Sequence, residues 1–200
     1  PTAGYWTRNT TSGFLYPATL TDSVGIGTTS PTDALHVIGN VNTTGVYEIG
    51  NSTILQNPGT GNLFTGVGAG NSTLTGTGNS VFGTSAGTAL TSGINNVFLG
   101  YLTGTVTNTG GDNVFVGVQS GTANTDGINN TFLGRIAGFT NTSGRDSTYV
   151  GKSAGQPTTG SWNTFVGSGA GQGTTTGTDN VFMGINAGVT SIGGNANTTG

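Results

Sequence analysis

A glycine closes a short aromatic or aliphatic run at Gly66, Gly83, Gly100, Gly117, Gly134, Gly151, Gly167 and Gly184, in steps of 17 residues with one of 16. Four residues after each anchor stands a second glycine: Gly70, Gly87, Gly104, Gly121, Gly138, Gly155, Gly171 and Gly188. A third column falls ten residues after the anchor, nine in the short copy, at Gly76, Gly93, Gly110, Gly127, Gly144, Gly160, Gly177 and Gly194. Eight copies kept in phase by three glycine columns leave few folds open. The period is too short for repeats built from helix pairs, and glycine at three fixed places per copy weakens any helix that would carry it. Each copy offers instead a run such as "NVFVG" (113–117), rich in β-branched and aromatic residues and bounded by glycine, which reads as a strand.

Seventeen extended residues span at most about 56–61 Å, enough for one closed coil of two or three short strands with glycine corners. Stacked coils would rise about 4.8 Å each, so eight would form a rod of roughly 38 Å. The expected fold is all-β, a β-solenoid or β-roll fibre of about 17-residue coils. The repeat occupies residues 61–200 and is expected to continue beyond the C-terminus, while residues 1–60 lack the period and read as a β-structured connector or cap. In that first segment "LHVIGNV" (35–41), "VYEIG" (46–50) and "TIL" (53–55) read as short strands.

In a stack, equivalent residues of successive coils form ladders. Two residues before each anchor, Phe64, Phe98, Phe115, Phe132, Tyr149, Phe165 and Phe182, with Val81 between the first two, make a core aromatic ladder. Four before it, Asn62, Asn79, Asn96, Asn113, Asn130, Asn163 and Asn180, with Ser147 in the sixth copy, make a turn ladder. There Asn can bond backbone, accept positive φ and stack from coil to coil. Side chains alternate along a strand, so the column just before the anchor, Leu99, Val116, Leu133, Val150, Val166 and Met183, faces away from the aromatic one. A narrow solenoid buries only its interior, which leaves this column as an apolar stripe of the kind that marks an interface. The stripe is expected to pack against copies of the same chain around a common axis, a parallel homotrimer being the simplest closure.

Composition narrows the function classes. Only 6% of residues are charged, the net charge is −3, and the basic residues are Arg8, Arg135, Arg145 and Lys152. Phosphate neutralisation needs clustered Lys and Arg, so a nucleic-acid partner is not expected. No run of 18 apolar residues occurs, so no membrane-inserted helix is expected. No cysteine is present, which removes thiolate chemistry and disulfides. The single histidine, His36, has no nucleophile or acidic cluster in its neighbourhood, and general acid–base chemistry needs convergent partners. Asp112, Asp146 and Asp179 share one column with Asn95 and Asn129, which favours a turn ladder over a calcium row. Neither an enzyme, a cofactor nor a metal is therefore expected. Triplets that permit N-glycosylation begin at Asn9, Asn42, Asn51, Asn71, Asn129, Asn141 and Asn197.

Two stretches carry a family resemblance. "SVGIGTTSPTDALHVIGNV" (23–41) resembles a phrase of phage tail-fibre and related bacterial surface proteins, and "NNVFLGYLTG" (95–104) with its sisters resembles their glycine-rich repeats. More loosely, the repeats are similar to the β-roll head repeats of trimeric autotransporter adhesins, with a longer and more aromatic coil. The resemblance implies a trimeric fibre or stalk, extracellular, on a virion or a bacterial surface, that mediates attachment to a receptor or glycan. Two other readings stand beside it. A glycan-binding module would use exposed rings among Trp6, Tyr16, Tyr101, Phe139 and Trp162, and an ice-binding solenoid would use its abundant Thr in regular pairs on one face.

Overall fold

The computed structural model describes residues 6–8, 15–17, 23–39, 41 and 46–189. The side chains of Trp6, Arg8 and Tyr16, and the residues Asn9, Asn42, Gly194 and Asn197, lie outside the described residues, as does any continuation of the repeat past 189. Every described element is a strand. The chain divides into two units, Pro1–Thr44 and Gly45–Gly200.

In the first unit, β1 (Trp6–Arg8) pairs antiparallel with β2 (Leu15–Pro17), and β3 (Val24–Ile26) pairs parallel with β4 (Leu35–Val37). The second unit is one ten-stranded sheet. It opens with the antiparallel hairpin of β5 (Tyr47–Ile49) and β6 (Ser52–Gln56), and β6 pairs antiparallel with β7 (Leu63–Thr65). From there β8 (Ser80–Phe82), β9 (Val97–Leu99), β10 (Val114–Val116), β11 (Thr131–Leu133), β12 (Thr148–Val150), β13 (Thr164–Val166) and β14 (Val181–Met183) follow, each parallel to the last. Seven parallel steps join β7 to β14, so this unit is a β-solenoid of about seven 17-residue coils. The hairpin belongs to the solenoid sheet, and the compact unit that holds both begins at Gly45. It covers the first edge of the sheet, where unpaired backbone would otherwise template further strands.

Each coil holds one strand of three residues, where two or three strands per coil were expected. The cause is backbone handedness. The residue entering each strand is left-handed (Asn95 φ 55°, Asp112 φ 56°, Asn129 φ 58°), and the anchor glycine leaving it has φ near the extended left-handed region, 128° at Gly117. Two further left-handed positions follow within four residues, at Gln119 (φ 58°) and Gly121 (φ 58°) in that coil. Residues that reverse handedness so often cannot extend into a second strand. A Cβ on Gly117 would stand 2.5 Å from the carbonyl oxygen of Gly134 in the next coil, and one on Gly121 would stand 2.5 Å from the ring of Phe115. Those two columns are glycine because both the conformation and the space require it.

The turns still bond from coil to coil as a sheet does. Ile136 N–H donates to Val118 O at 2.9 Å, Asp112 N–H to Ile94 O at 2.9 Å and Gly121 N–H to Ala137 O at 2.9 Å. Left-handed Leu102 (φ 54°) and Ile136 (φ 53°) are tolerated because the same bond recurs at this place in every coil from Ser85 to Asn186.

Four columns point inward. The aromatic residues from Phe64 to Phe165, and Val81 with them, are fully buried, while Phe182 in the last described coil is only partly covered. From Phe98 to Phe182 the rings stack with centroids 5.1, 4.9, 4.6, 5.0 and 5.1 Å apart and planes within 16° of parallel. A column of small residues (Ala86, Thr103, Ser120, Ala137, Ala154, Ala170) and the Asn column are buried beside them. The fourth runs through Leu90, Thr107, Asn124, Asn141 and Thr158.

Candidate functional site

The Asn column is a continuous spine rather than a set of local turns. Asn113 donates its amide Nδ2 to Gly127 O at 2.8 Å, and its Oδ1 accepts the backbone N–H of Asn130 at 3.0 Å. The same pattern runs from Asn62, which bonds Gly76 O at 2.9 Å, to Asn180, whose N–H reaches Asn163 Oδ1 at 3.1 Å. Each amide therefore ties the start of one strand to the corner that begins the next coil. Ser147 continues the spine with its hydroxyl: it takes the N–H of Asn163 at 3.2 Å and donates to Arg145 O at 3.1 Å. In the same coil the ring is Tyr149, whose hydroxyl faces the side chains of Ser147, Asn163 and Asn141. The short Ser and the long Tyr are neighbours on the inward face, so the hydroxyl occupies space that an Asn amide holds elsewhere. Burial pushes the Tyr149 hydroxyl above its ordinary value of 10.0, partly offset by those facing side chains.

The solvent-facing side of the solenoid is the feature fit to meet a partner. Every strand from β7 to β13 buries its central residue and leaves both flanking residues accessible. Of the sixteen flanking residues in β7 to β14, eleven are apolar and none is charged. Leu99, Val116, Leu133, Val150, Val166 and Met183 all lie on this side, as does the second column that includes Leu63, Val97, Val114 and Val181. Leu99 is 49% exposed and Met183 73%. The column three residues after the aromatic one extends the strip with Val67, Tyr101, Val118 and Ile185, all exposed, and contributes Arg135 and Lys152 in the fifth and sixth coils. Arg135 and Lys152 are the charged residues of this column in an otherwise uncharged, largely apolar strip.

Other candidate residues have local roles. The Thr32 N–H donates to His36 Nδ1 at 3.2 Å, which ties this histidine to the loop before β4. Asn95 Nδ2 donates to Asp112 Oδ1 at 3.0 Å, and Asn129 Nδ2 to Asp146 Oδ1 at 2.9 Å, and the acids of this column are separated by Asn129 and by Trp162. Asn141 is fully buried and its side chain is out of reach of a glycosylating enzyme in the folded chain. Thr75, Thr125 and Thr159, all exposed, each donate a hydroxyl, at 3.0 Å, to a carbonyl of the next coil (Thr91, Thr142 and Thr175), which commits these donors to the stack. Exposed Tyr101 and Trp162 stand in different columns and several coils apart, so they form no continuous row of rings.

The corner-carbonyl partners of the spine and the left-handed column at Gln119 and Ile136 were what sequence reasoning missed. The Asn column was visible, but its partners, carbonyls 14 residues away, become neighbours only when a coil closes. Among the described residues no helix is long and apolar enough to cross a membrane. Compared with protein-family models, with curated proteins and with solved structures, the chain matches none.

Proposed function

We propose that this chain is a segment of a structural fibre or stalk that associates with copies of itself in parallel, as a homotrimer, and that serves attachment at a cell surface. The observation that carries the reading is the uncharged, largely apolar face formed by the flanks of β7 to β14. A strip that repeats every 4.8 Å or so along the stack fits best against an identical strip, because only a copy matches its spacing. Three solenoids around one axis would each turn this face inward and leave the Thr- and Asn-rich turns in water. The attachment role and the setting, extracellular on a virion or a bacterial surface, rest on the resemblance of residues 23–41 and of the repeats to tail-fibre proteins. The receptor or glycan would be met elsewhere than on the apolar face.

Sedimentation velocity at micromolar concentration tests the association: the mass of three chains is expected, and a stable monomer would overturn it. Val116→Lys together with Leu133→Lys places cations in the middle of the strip and is expected to yield monomers that keep the β circular-dichroism signal of the parent. Negative-stain electron microscopy of the particles or cells that carry the chain tests the setting, with thin fibres expected at the surface.

A further inference from the structure

The fourth inward column is unlike the other three. Where it begins it is filled by aliphatic Leu90, as a solenoid core ordinarily is, but the next coils put Thr107, Asn124 and Asn141 at the same place, all fully buried. The buried polar residues of the neighbouring columns are bonded: Thr103 donates to Gly117 O at 2.7 Å, Ser120 to Phe132 O at 3.0 Å and, farther along this same column, Thr158 to Thr174 O at 2.7 Å. By distance and angle the hydroxyl of Thr107, both polar atoms of Asn124, both of Asn141 and the hydroxyl of Tyr149 make no hydrogen bond within the protein, the Tyr149 hydroxyl standing near Ser147, Asn163 and Asn141 without a bonding geometry. Tyr149 OH faces Asn141, so the six atoms lie along one stretch of the interior spanning four successive coils. Buried polar atoms in folded proteins have partners as a rule, so six unpartnered ones in one place point to a bound species.

The chemistry of the lining says which species. The residues are neutral, and amides and hydroxyls each offer both donor and acceptor. A cation would meet amide N–H groups with no carboxylate to hold it. An anion would meet amide and hydroxyl oxygens with no cationic group. Water alone satisfies both kinds of atom, and three or so hydrogen bonds per buried molecule is its ordinary coordination. Stacked amides can bond one another directly, as Asn113 Nδ2 does to Asn96 Oδ1 at 3.1 Å, but Asn124 and Asn141 make no such bond, which leaves a small polar molecule to satisfy them.

We propose that the solenoid encloses a short file of ordered water molecules along Thr107, Asn124 and Asn141, ending at the Tyr149 hydroxyl. The file replaces the aliphatic filling that Leu90 supplies nearer the start of the stack, and lets the coils keep one backbone path while the interior changes from apolar to polar. This inference depends on the coil interior alone and is independent of the attachment reading.

Crystals of the wild-type protein, with a second set soaked in thallium(I), test it. Solvent peaks within hydrogen-bond distance of both Asn124 and Asn141, without anomalous signal after the soak, are expected. Amides bonded directly to one another or to the backbone with no peak between them would overturn the proposal, and so would an anomalous peak, which would make the species a monovalent cation. In the double variant Asn124→Leu, Asn141→Leu, which repeats the residue of Leu90, the peaks are expected to vanish with the solenoid intact. Peaks that persist in that variant would also overturn it, and if the variant does not fold the wild-type crystals decide alone.

Discussion

Two sets of buried asparagines run through the same coils and differ only in what surrounds them. Asn113 and its equivalents sit where the chain turns into the strand, and each amide finds a corner carbonyl on one side and the next spine residue on the other. Asn124 and Asn141 sit across the interior, equally buried, and find no protein partner. The residue type is the same and so is the burial, so neither decides what the side chain contributes. What decides is whether removing it strands a partner: losing one member of a buried hydrogen bond leaves the other with its full desolvation cost, whereas losing a group without protein partners strands none. The spine is therefore a structural element and the second pair an accommodation.

Breaking the spine should have the largest effect. Asn113→Leu leaves Gly127 O and the N–H of Asn130 without their partner, and should cost about 2–6 kcal/mol at roughly 1–3 kcal/mol per stranded buried group. Chemical denaturation of the wild type and the variant checks this, and a cost no greater than that of Asn124→Leu would end the distinction between the two columns. Next comes the sixth coil, where Ser147 and Tyr149 replace the usual Asn and Phe together. Ser147→Asn alone should overpack against the Tyr149 hydroxyl and cost about 1–3 kcal/mol. Adding Tyr149→Phe should recover most of that loss, so a double-mutant cycle should return a coupling of about 1–2 kcal/mol. Additive single effects would show that the two substitutions are unrelated.

Asn124→Leu is expected to change stability by less than about 1 kcal/mol, because no protein group is stranded by it. A thermal melt of this variant beside Asn113→Leu is the most direct comparison of the two columns. The smallest effect is in the pH dependence. Burial raises the Tyr149 hydroxyl above its unfolded value of 10.0, so its contribution is fully present below pH 10.0 and is lost as pH rises through the higher folded value. The denaturation midpoint of the wild type should fall more steeply above that pH than the midpoint of Tyr149→Phe. Identical alkaline slopes would show that the hydroxyl is not held neutral by the fold.

Much of the architecture was legible in the repeat. Three glycine columns at a 17-residue period exclude helix, and the run Val114–Phe115–Val116 reads directly as a strand with its ring on one side and its flanks on the other, because side chains alternate with a period of two. The inward Phe115 and the accessible Val116 follow from that rule alone. Less legible was the path of the rest of the coil. Gln119 and Ile136 are ordinary residues by composition, and nothing local marks them as left-handed; Ile is among the least willing to be so. Their conformation is imposed by coil closure and by the bonds to Tyr101 O and Val118 O in the preceding coil. How the first segment joins the repeat was not legible either. Tyr47–Ile49 and Ser52–Gln56 lack the repeat, yet they complete its sheet, because an edge strand needs free backbone groups and no particular sequence.

The sequence by itself determined the period, the strand, its two faces and the places where only glycine fits, since each of these follows from local backbone geometry and a fixed spacing. Only the tertiary structure decided which buried asparagines are bonded. Asn113 and Asn124 lie eleven residues apart in one coil and are chemically identical, but hydrogen bonding is directional and short-ranged. Once the coils stack, the corner carbonyls fall within reach of Asn113, and no protein polar group falls within reach of Asn124.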